Sequence, residues 1–288
     1  MSGTHNIRKR AELDVQALDA ELERLREADS SESTLLEDED IVESPASSLK
    51  FRPDPVISTS LLSSCRRCHW APDREMTILF GGTEPRSAEE FRSLRSRLYS
   101  VRKERSLKSL LVVSALPGEG RTFVAANLAR VLALQSGCRV LLVDGDLRKP
   151  RLHSAFGTAA QPGLSEYLLR ESEEFEVMQR GRSEDLYLIP SGRKVAGQGE
   201  LVANGRLESL IRRVVPAFDW IIVDSPPALS VTDASLLSNC CDGVLLVVRS
   251  HSTPFDVVKK ARMKFREESL VGVVLNKIEA TASVRSEK

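Results

Sequence analysis

Several short runs of this chain are apolar at nearly every position. Leu110-Leu111-Val112-Val113, Val140-Leu141-Leu142-Val143, Trp220-Ile221-Ile222-Val223, Val244 to Val248 and Val271 to Leu275 all lack the polar-apolar alternation of a half-exposed strand. Such runs suit strands covered on both faces. Between them the apolar positions recur at helical spacing, as from Phe123 to Leu134. The expected order is helix Ser87–Val101, strand Leu110–Ser114, helix Gly120–Gln135, strand Arg139–Asp144 and an irregular stretch to Arg182. Strand Leu186–Pro190, helix Leu201–Val214, strands Trp220–Asp224 and Gly243–Arg249, helix Pro254–Glu267 and strand Leu270–Leu275 follow, with Thr77–Phe80 a candidate edge strand. Alternating strands and helices predict an α/β fold, a mainly parallel central sheet flanked by helices on both faces with right-handed crossovers. No internal repeat is visible.

The polar residues that end these runs carry the chemistry. Ser114-Ala115-Leu116-Pro117-Gly118-Glu119-Gly120-Arg121-Thr122 lies between a strand and a helix, the setting of a phosphate-binding loop and hence of a P-loop NTPase. Gly118 and Gly120 let backbone N–H groups turn toward phosphate oxygens, and the helix after them offers its positive N-terminal end. Thr122 supplies a hydroxyl for Mg²⁺. Asp144, Asp146 and Asp224 follow the ends of two other strands. In a parallel sheet those ends share one edge with the loop, so the three carboxylates can converge on a metal that bridges phosphates. An Asp after a buried strand is often only a loop starter or helix cap; three in register with a phosphate loop argue otherwise.

In order and spacing, Pro117-Gly118-Glu119-Gly120, then Val143-Asp144-Gly145-Asp146-Leu147-Arg148-Lys149-Pro150 with His153, then Val223-Asp224-Ser225-Pro226-Pro227 resemble the bacterial tyrosine kinases, the BY-kinases. These are cytoplasmic P-loop proteins of capsule and exopolysaccharide biosynthesis and export, related to MinD and ParA ATPases. The likeness spans about residues 76–279. It implies ATP and Mg²⁺ as cofactors and transfer of the γ-phosphoryl group to a tyrosine hydroxyl. The loop from Pro117 to Thr122, with Glu119 and Arg121, would hold the phosphates. Thr122 and Asp224, with Asp146 assisting, would hold the metal, Asp144 would serve as base, and Asn276 would meet the adenine. Glu89, Arg92 and Arg95 are similar to the family's Glu-x-x-Arg-x-x-Arg element, which implies self-association into a ring. Without the family they are a charged helix face. The expected partner is a membrane polysaccharide co-polymerase-type activator, recruiting the protein to the inner face of the plasma membrane.

Two features depart from the family. Arg121 stands where the loop's lysine is expected, and a planar guanidinium is not a conservative exchange for an ammonium at a close-fitting phosphate site. The family's terminal tyrosine cluster is missing, since the only tyrosines are Tyr99, Tyr167 and Tyr187. Three functions therefore compete: a tyrosine kinase, a kinase-dead nucleotide-dependent scaffold, and a MinD- or ParA-like ATPase. The last lacks its signature lysine, because Ser-Ala-Leu-Pro opens the loop.

Composition adds bounds. Lys+Arg and Asp+Glu both total 41 in 288 residues, a net charge of zero, and this balance gives no general attraction to nucleic acid. No run is long enough to cross a membrane and no signal peptide opens the chain, so a cytoplasmic location is expected. The five cysteines have no framework spacing, which fits reduced thiols. Cys65-Arg66-Arg67-Cys68-His69 spells a haem-attachment pattern, but that chemistry needs export, and zinc would lack a fourth ligand. Residues 1–75 are expected to form a mostly disordered appendage. A short helix at Ala11, Val15, Leu18, Leu22 and Leu25 precedes an acidic, Ser-rich stretch and a linker with Pro53, Pro55 and Pro72 that ends near Met76. A polar tail occupies 280–288.

Overall fold

The computed structural model describes residues 59–80, 87–181 and 185–278. Its strands are β1 Arg66–Arg67, β2 Ser109–Ser114, β3 Val140–Asp144, β4 Gln179–Arg180, β5 Leu186–Ile189, β6 Trp220–Asp224, β7 Gly243–Arg249 and β8 Leu270–Asn276. Its helices are α1 Ser87–Glu104, α2 Arg121–Ala133, α3 Leu152–Ala155, α4 Leu164–Leu168, α5 Glu174–Val177, α6 Gln198–Ala203, α7 Arg206–Val214, α8 Asp233–Ser238 and α9 Phe255–Arg262. The strands form one sheet in the order β1-β4-β5-β3-β6-β2-β7-β8. All neighbours are parallel except β4 and β5, which run antiparallel.

Alternate residues of the inner strands feed two cores. Leu110 and Val112 of β2, Leu142 of β3, Trp220 and Ile222 of β6 and Val247 of β7 pack with Phe91 and Leu98 of α1 and Val124, Leu128 and Leu132 of α2. Leu111, Val143, Ile221, Val223 and Leu246 point the other way, toward Leu207, Leu210 and Val214 of α7, Leu237 of α8 and Ala261 of α9. With apolar side chains demanded on both faces, the strands show no alternation in the sequence. Among the described residues no helix is long and apolar enough to cross a membrane.

Several expectations change. Thr77–Phe80 is not an edge strand: Ile78–Phe80 forms a 3₁₀ turn. The Thr77 hydroxyl donates to the Asp73 carbonyl at 2.5 Å, the Asn127 amide donates to the Met76 carbonyl, and Phe80 packs edge-on to Phe156. The Asn127 and Phe156 contacts come from elsewhere in the chain, and with the local Asp73 bond they override a strand-like run. The linker expected up to Met76 carries, from Thr59 onward, a 3₁₀ turn and then β1, whose Arg66 and Arg67 pair with Gln179 and Arg180. The single helix expected over Leu201–Val214 is two, α6 and α7, because Gly205 takes a left-handed φ of 76° between them. The stretch to Arg182 holds α3, α4, α5 and β4, and α8 is an addition. The helix expected near residues 11–25, the acidic stretch at 30–48 and the tail at 280–288 lie outside the described residues.

Leu142 is fully buried in β3. Leu142→Ala removes packing on the α1–α2 side and is expected to cost about 3 kcal/mol of stability, measured by chemical denaturation, with the nucleotide-loop residues untouched.

Candidate functional site

The sheet delivers the three carboxylates to one place. Asp144 and Asp224 end adjacent parallel strands and are register partners, and the Gly145 N–H donates to the Asp224 carbonyl at 2.8 Å. Val112, two residues before the end of β2, pairs with Asp224, so the loop after β2 rises beside both acids. Asp146 follows two residues after β3. The loop reaches α2 through Gly118 and Gly120, both left-handed with φ of 82° and 96°. A methyl group at Gly118 would meet open space, whereas one at Gly120 would collide with the side-chain amide of Asn276.

Arg121 and Thr122, the first residues of α2, turn into the acid cluster. The Thr122 hydroxyl donates to Asp224 Oδ2 at 2.7 Å. Arg121 donates through Nη2 to Asp146 Oδ2 and through Nε to the Ser225 carbonyl, and Nε also lies 3.8 Å from Asp224 Oδ1. Asp146 Oδ1 in turn accepts the backbone N–H groups of Arg148 and Lys149 at 3.2 and 2.9 Å. Asp144 Oδ2 accepts those of Arg151 and Leu152 at 3.2 and 3.0 Å, the latter opening α3.

Two buried oxygens, Asp144 Oδ1 and Asp224 Oδ1, have no hydrogen-bond donor. Buried carboxylate oxygens normally find one. Burial first, and then the Asp224 charge beside it, hold the Asp144 carboxyl well above the usual carboxylate range. Burial also raises Asp224, to about 6, against the lowering effects of Arg121 and the Thr122 hydroxyl. The unsatisfied Asp224 oxygen beside the Thr122 hydroxyl offers hard-oxygen donors that fit Mg²⁺ carried by a nucleotide.

Behind the loop, Glu119 points away from this cluster. Its carboxylate accepts the Leu116 N–H at 2.6 Å and the Thr253 hydroxyl, while its carbonyl accepts the Asn276 side-chain amide at 2.8 Å. Lys277 Nζ donates to the Gly118 carbonyl at 3.2 Å. Glu119 and Asn276, both expected to touch nucleotide, thus hold the loop in shape here. Pro117 lies in the exposed turn of the same loop. Sequence reasoning missed Asp233, which is buried and holds Arg148 through paired contacts of 2.8 and 3.2 Å. Arg148 was visible in Asp-Leu-Arg-Lys-Pro; its partner, 85 residues on, left no local signal.

Glu89, Arg92 and Arg95 lie on α1, apart from this cluster. Arg92 pairs with Glu89 at 3.2 Å, and Arg95 donates to the Val131 carbonyl on α2 at 2.9 Å. Cys65 is buried, and burial pushes its thiol up to about 11. Among the described residues, no group of three or more His, Cys, Asp and Glu is arranged to hold a metal ion by itself.

The raised acids set a pH dependence. A carboxyl whose folded pKa exceeds its unfolded value favours the fold below about pH 4, and that contribution is lost as pH rises through the folded pKa. For Asp224 the loss is complete above about 6. The carboxylate cluster therefore weighs against the ligand-free fold at neutral pH. Asp144→Asn is expected to raise the Tm at pH 7.5 and to raise it less at pH 5. A lower Tm at both values would mean that the Asp144 charge supports the fold.

The comparisons with known proteins agree with this geometry. The AAA domain family model matches residues 109–259. The tyrosine-protein kinase YwqD of Bacillus subtilis (strain 168) is 36% identical over 198 residues, covering 67% of this chain and 83% of its own length. The crystal structure of the chimerical protein CapA2B2 superposes with a TM-score of 0.67 at 32% identity, covering 72% of this chain and 92% of that one. The kinase domain of the Escherichia coli tyrosine kinase ETK gives a TM-score of 0.62 at 30% identity, covering 68% and 78%. A P-loop between parallel strands, three acids at one sheet edge and relatives that match over most of their own length lead to one conclusion: the chain belongs to the bacterial tyrosine-protein kinase family of P-loop proteins.

Proposed function

We propose that the protein is an ATP-dependent protein-tyrosine kinase of exopolysaccharide or capsule biosynthesis or export. The observation that carries the reading is the convergence of Asp146 and Asp224 on Arg121 and Thr122, with Asp144 beside Asp224 at the end of the adjacent strand. The loop amides around Gly118 and Gly120, with Arg121, bind the β- and γ-phosphates. Thr122 and Asp224, with Asp146, hold Mg²⁺, which supplies charge neutralisation at the phosphates. Asp144 takes the acceptor's proton, a role that suits a carboxyl with a raised pKa. Asn276 turns from the Glu119 carbonyl toward the adenine when nucleotide enters.

The group transfer balances as follows. The tyrosine oxygen forms a bond to the γ-phosphorus, the bond from that phosphorus to the bridging oxygen breaks, and ADP leaves with the electron pair. The phenolic proton passes to Asp144. Arg121 must first release Asp146 and the Ser225 carbonyl to face the phosphates. The engagement of its guanidinium with those two acceptors favours a second reading, a nucleotide-dependent assembly scaffold that binds ATP without transferring phosphate.

Partners follow the same family logic. A membrane co-polymerase-type activator recruits the chain to the inner face of the plasma membrane, and Glu89, Arg92 and Arg95 contribute to a ring of copies. The neutral net charge leaves nucleic acid out of this scheme.

Purified protein with Mg-ATP and a tyrosine-bearing acceptor, with and without the cytoplasmic segment of a co-polymerase activator, is expected to yield phosphotyrosine by mass spectrometry. Asp144→Asn should lower the rate at least about a hundredfold while ATP affinity stays within a few-fold. Arg121→Lys should raise kcat. ATP binding without transfer in the wild type, restored by Arg121→Lys, would select the scaffold. Separately, the pair Glu89→Ala and Arg92→Ala is expected to shift the protein toward monomer in analytical ultracentrifugation; unchanged sedimentation would remove these residues from the assembly role.

A further inference from the structure

Every tyrosine of the 288-residue chain lies within the described residues, and none is placed to accept phosphate. Tyr187 is in β5 and buried, edge-on to Phe218 at 5.1 Å with the Arg180 guanidinium over its ring. Tyr167 is buried in α4 beneath the Arg206 guanidinium. Tyr99 is half-buried near the end of α1, where its hydroxyl donates to Gln135 at 2.5 Å and accepts from the Trp220 indole at 3.3 Å. Trp220 begins β6, whereas Asp224 ends it, so Tyr99 sits at the sheet edge opposite the acids. Burial raises the pKa of all three hydroxyls.

The rim of the site has a definite charge. Lys149 and Arg151 follow β3, Lys194 follows β5, Arg249 ends β7 and Lys277 follows β8, and all five are exposed. These positions share the carboxyl edge of the sheet with the phosphate loop. Basic side chains spread along that edge attract an acidic chain approaching the γ-phosphate.

Resting on the kinase reading above, we propose that the acceptor is a tyrosine within an acidic segment outside these 288 residues, and that the folded chain does not phosphorylate copies of itself. The hydroxyl must reach the acid cluster at the carboxyl edge. Tyr167 and Tyr187 would have to leave the core to do so, and Tyr99 is committed at the other edge. The basic rim selects the charge of what enters in their place.

The test uses the full chain with Mg-ATP, with and without the co-polymerase segment, and two probes, a random Glu/Tyr copolymer and a Lys/Tyr copolymer of matched tyrosine content. The expected result is phosphate on the Glu/Tyr copolymer and none on the chain by intact mass. Lys149→Glu with Lys194→Glu should raise the copolymer KM roughly tenfold with a smaller change in kcat, and Tyr99→Phe should leave the copolymer rate unchanged. Phosphate on Tyr99, Tyr167 or Tyr187 of the folded chain would overturn the inference alone. Equal use of the two copolymers would overturn its acidic component. If neither the copolymers nor the chain take phosphate, the kinase reading fails and this inference falls with it.

Discussion

One guanidinium balances a cluster of buried carboxylates, and the conformation of the site depends on that balance. Removing ionised carboxylates from water is costly unless charge and hydrogen bonds replace the lost hydration. Asp146 receives both, from Arg121 and from the backbone after β3. Asp144 receives only backbone donors, which do not offset its burial and the Asp224 charge beside it, so its carboxyl resists ionisation. Asp224 stands between them, lowered by Arg121 and Thr122 yet still above its ordinary value. A lysine could neutralise one such acid as a point charge. The forked arginine reaches an acid and a carbonyl together and lies within 4 Å of a second acid, so it ties α2 to the ends of both β3 and β6.

This arrangement makes the loop a two-sided structure. On one side Arg121 and Thr122 face the acids; on the other, Glu119 fastens the loop to the segment after β7, and Asn276 and Lys277 fasten it to the end of β8. Gly120 lies between the two sides, with no room for a side chain against Asn276. The family signature at these positions thus mixes residues that face the acid cluster with residues that hold the loop.

Much of the fold was legible because its determinants are local. The apolar runs within Trp220–Asp224 and Gly243–Arg249 mark the strands found there, and strand-end acids imply their own convergence in a parallel sheet. What could not be read depends on distant partners. Thr77 to Phe80 has strand-like residues but is held in a 3₁₀ turn with the help of Asn127 and Phe156. Gly205 is a breaker set inside an otherwise helical run. The direction of the Arg121 side chain, the attachment of Asn276 to Glu119 and the Arg148–Asp233 pair are tertiary facts. A motif supplies residue types at a spacing, and says nothing of which acceptor each donor chooses.

The strand order has a kinetic consequence. β2 lies between β6 and β7, and β6 separates it from β3, so the acids and the loop come from strands whose neighbours are distant along the chain. The pairing of Val112 with Asp224 spans more than a hundred residues. High contact order slows folding, because long loops must close before such pairs form. An early intermediate containing only β2, α2 and β3 would own a glycine loop and two acids but not Asp224 or the Ser225 carbonyl that anchors Arg121. The site is therefore incomplete without β6, and a chain emerging from the ribosome cannot build it until β6 has been synthesised and inserted between strands already made.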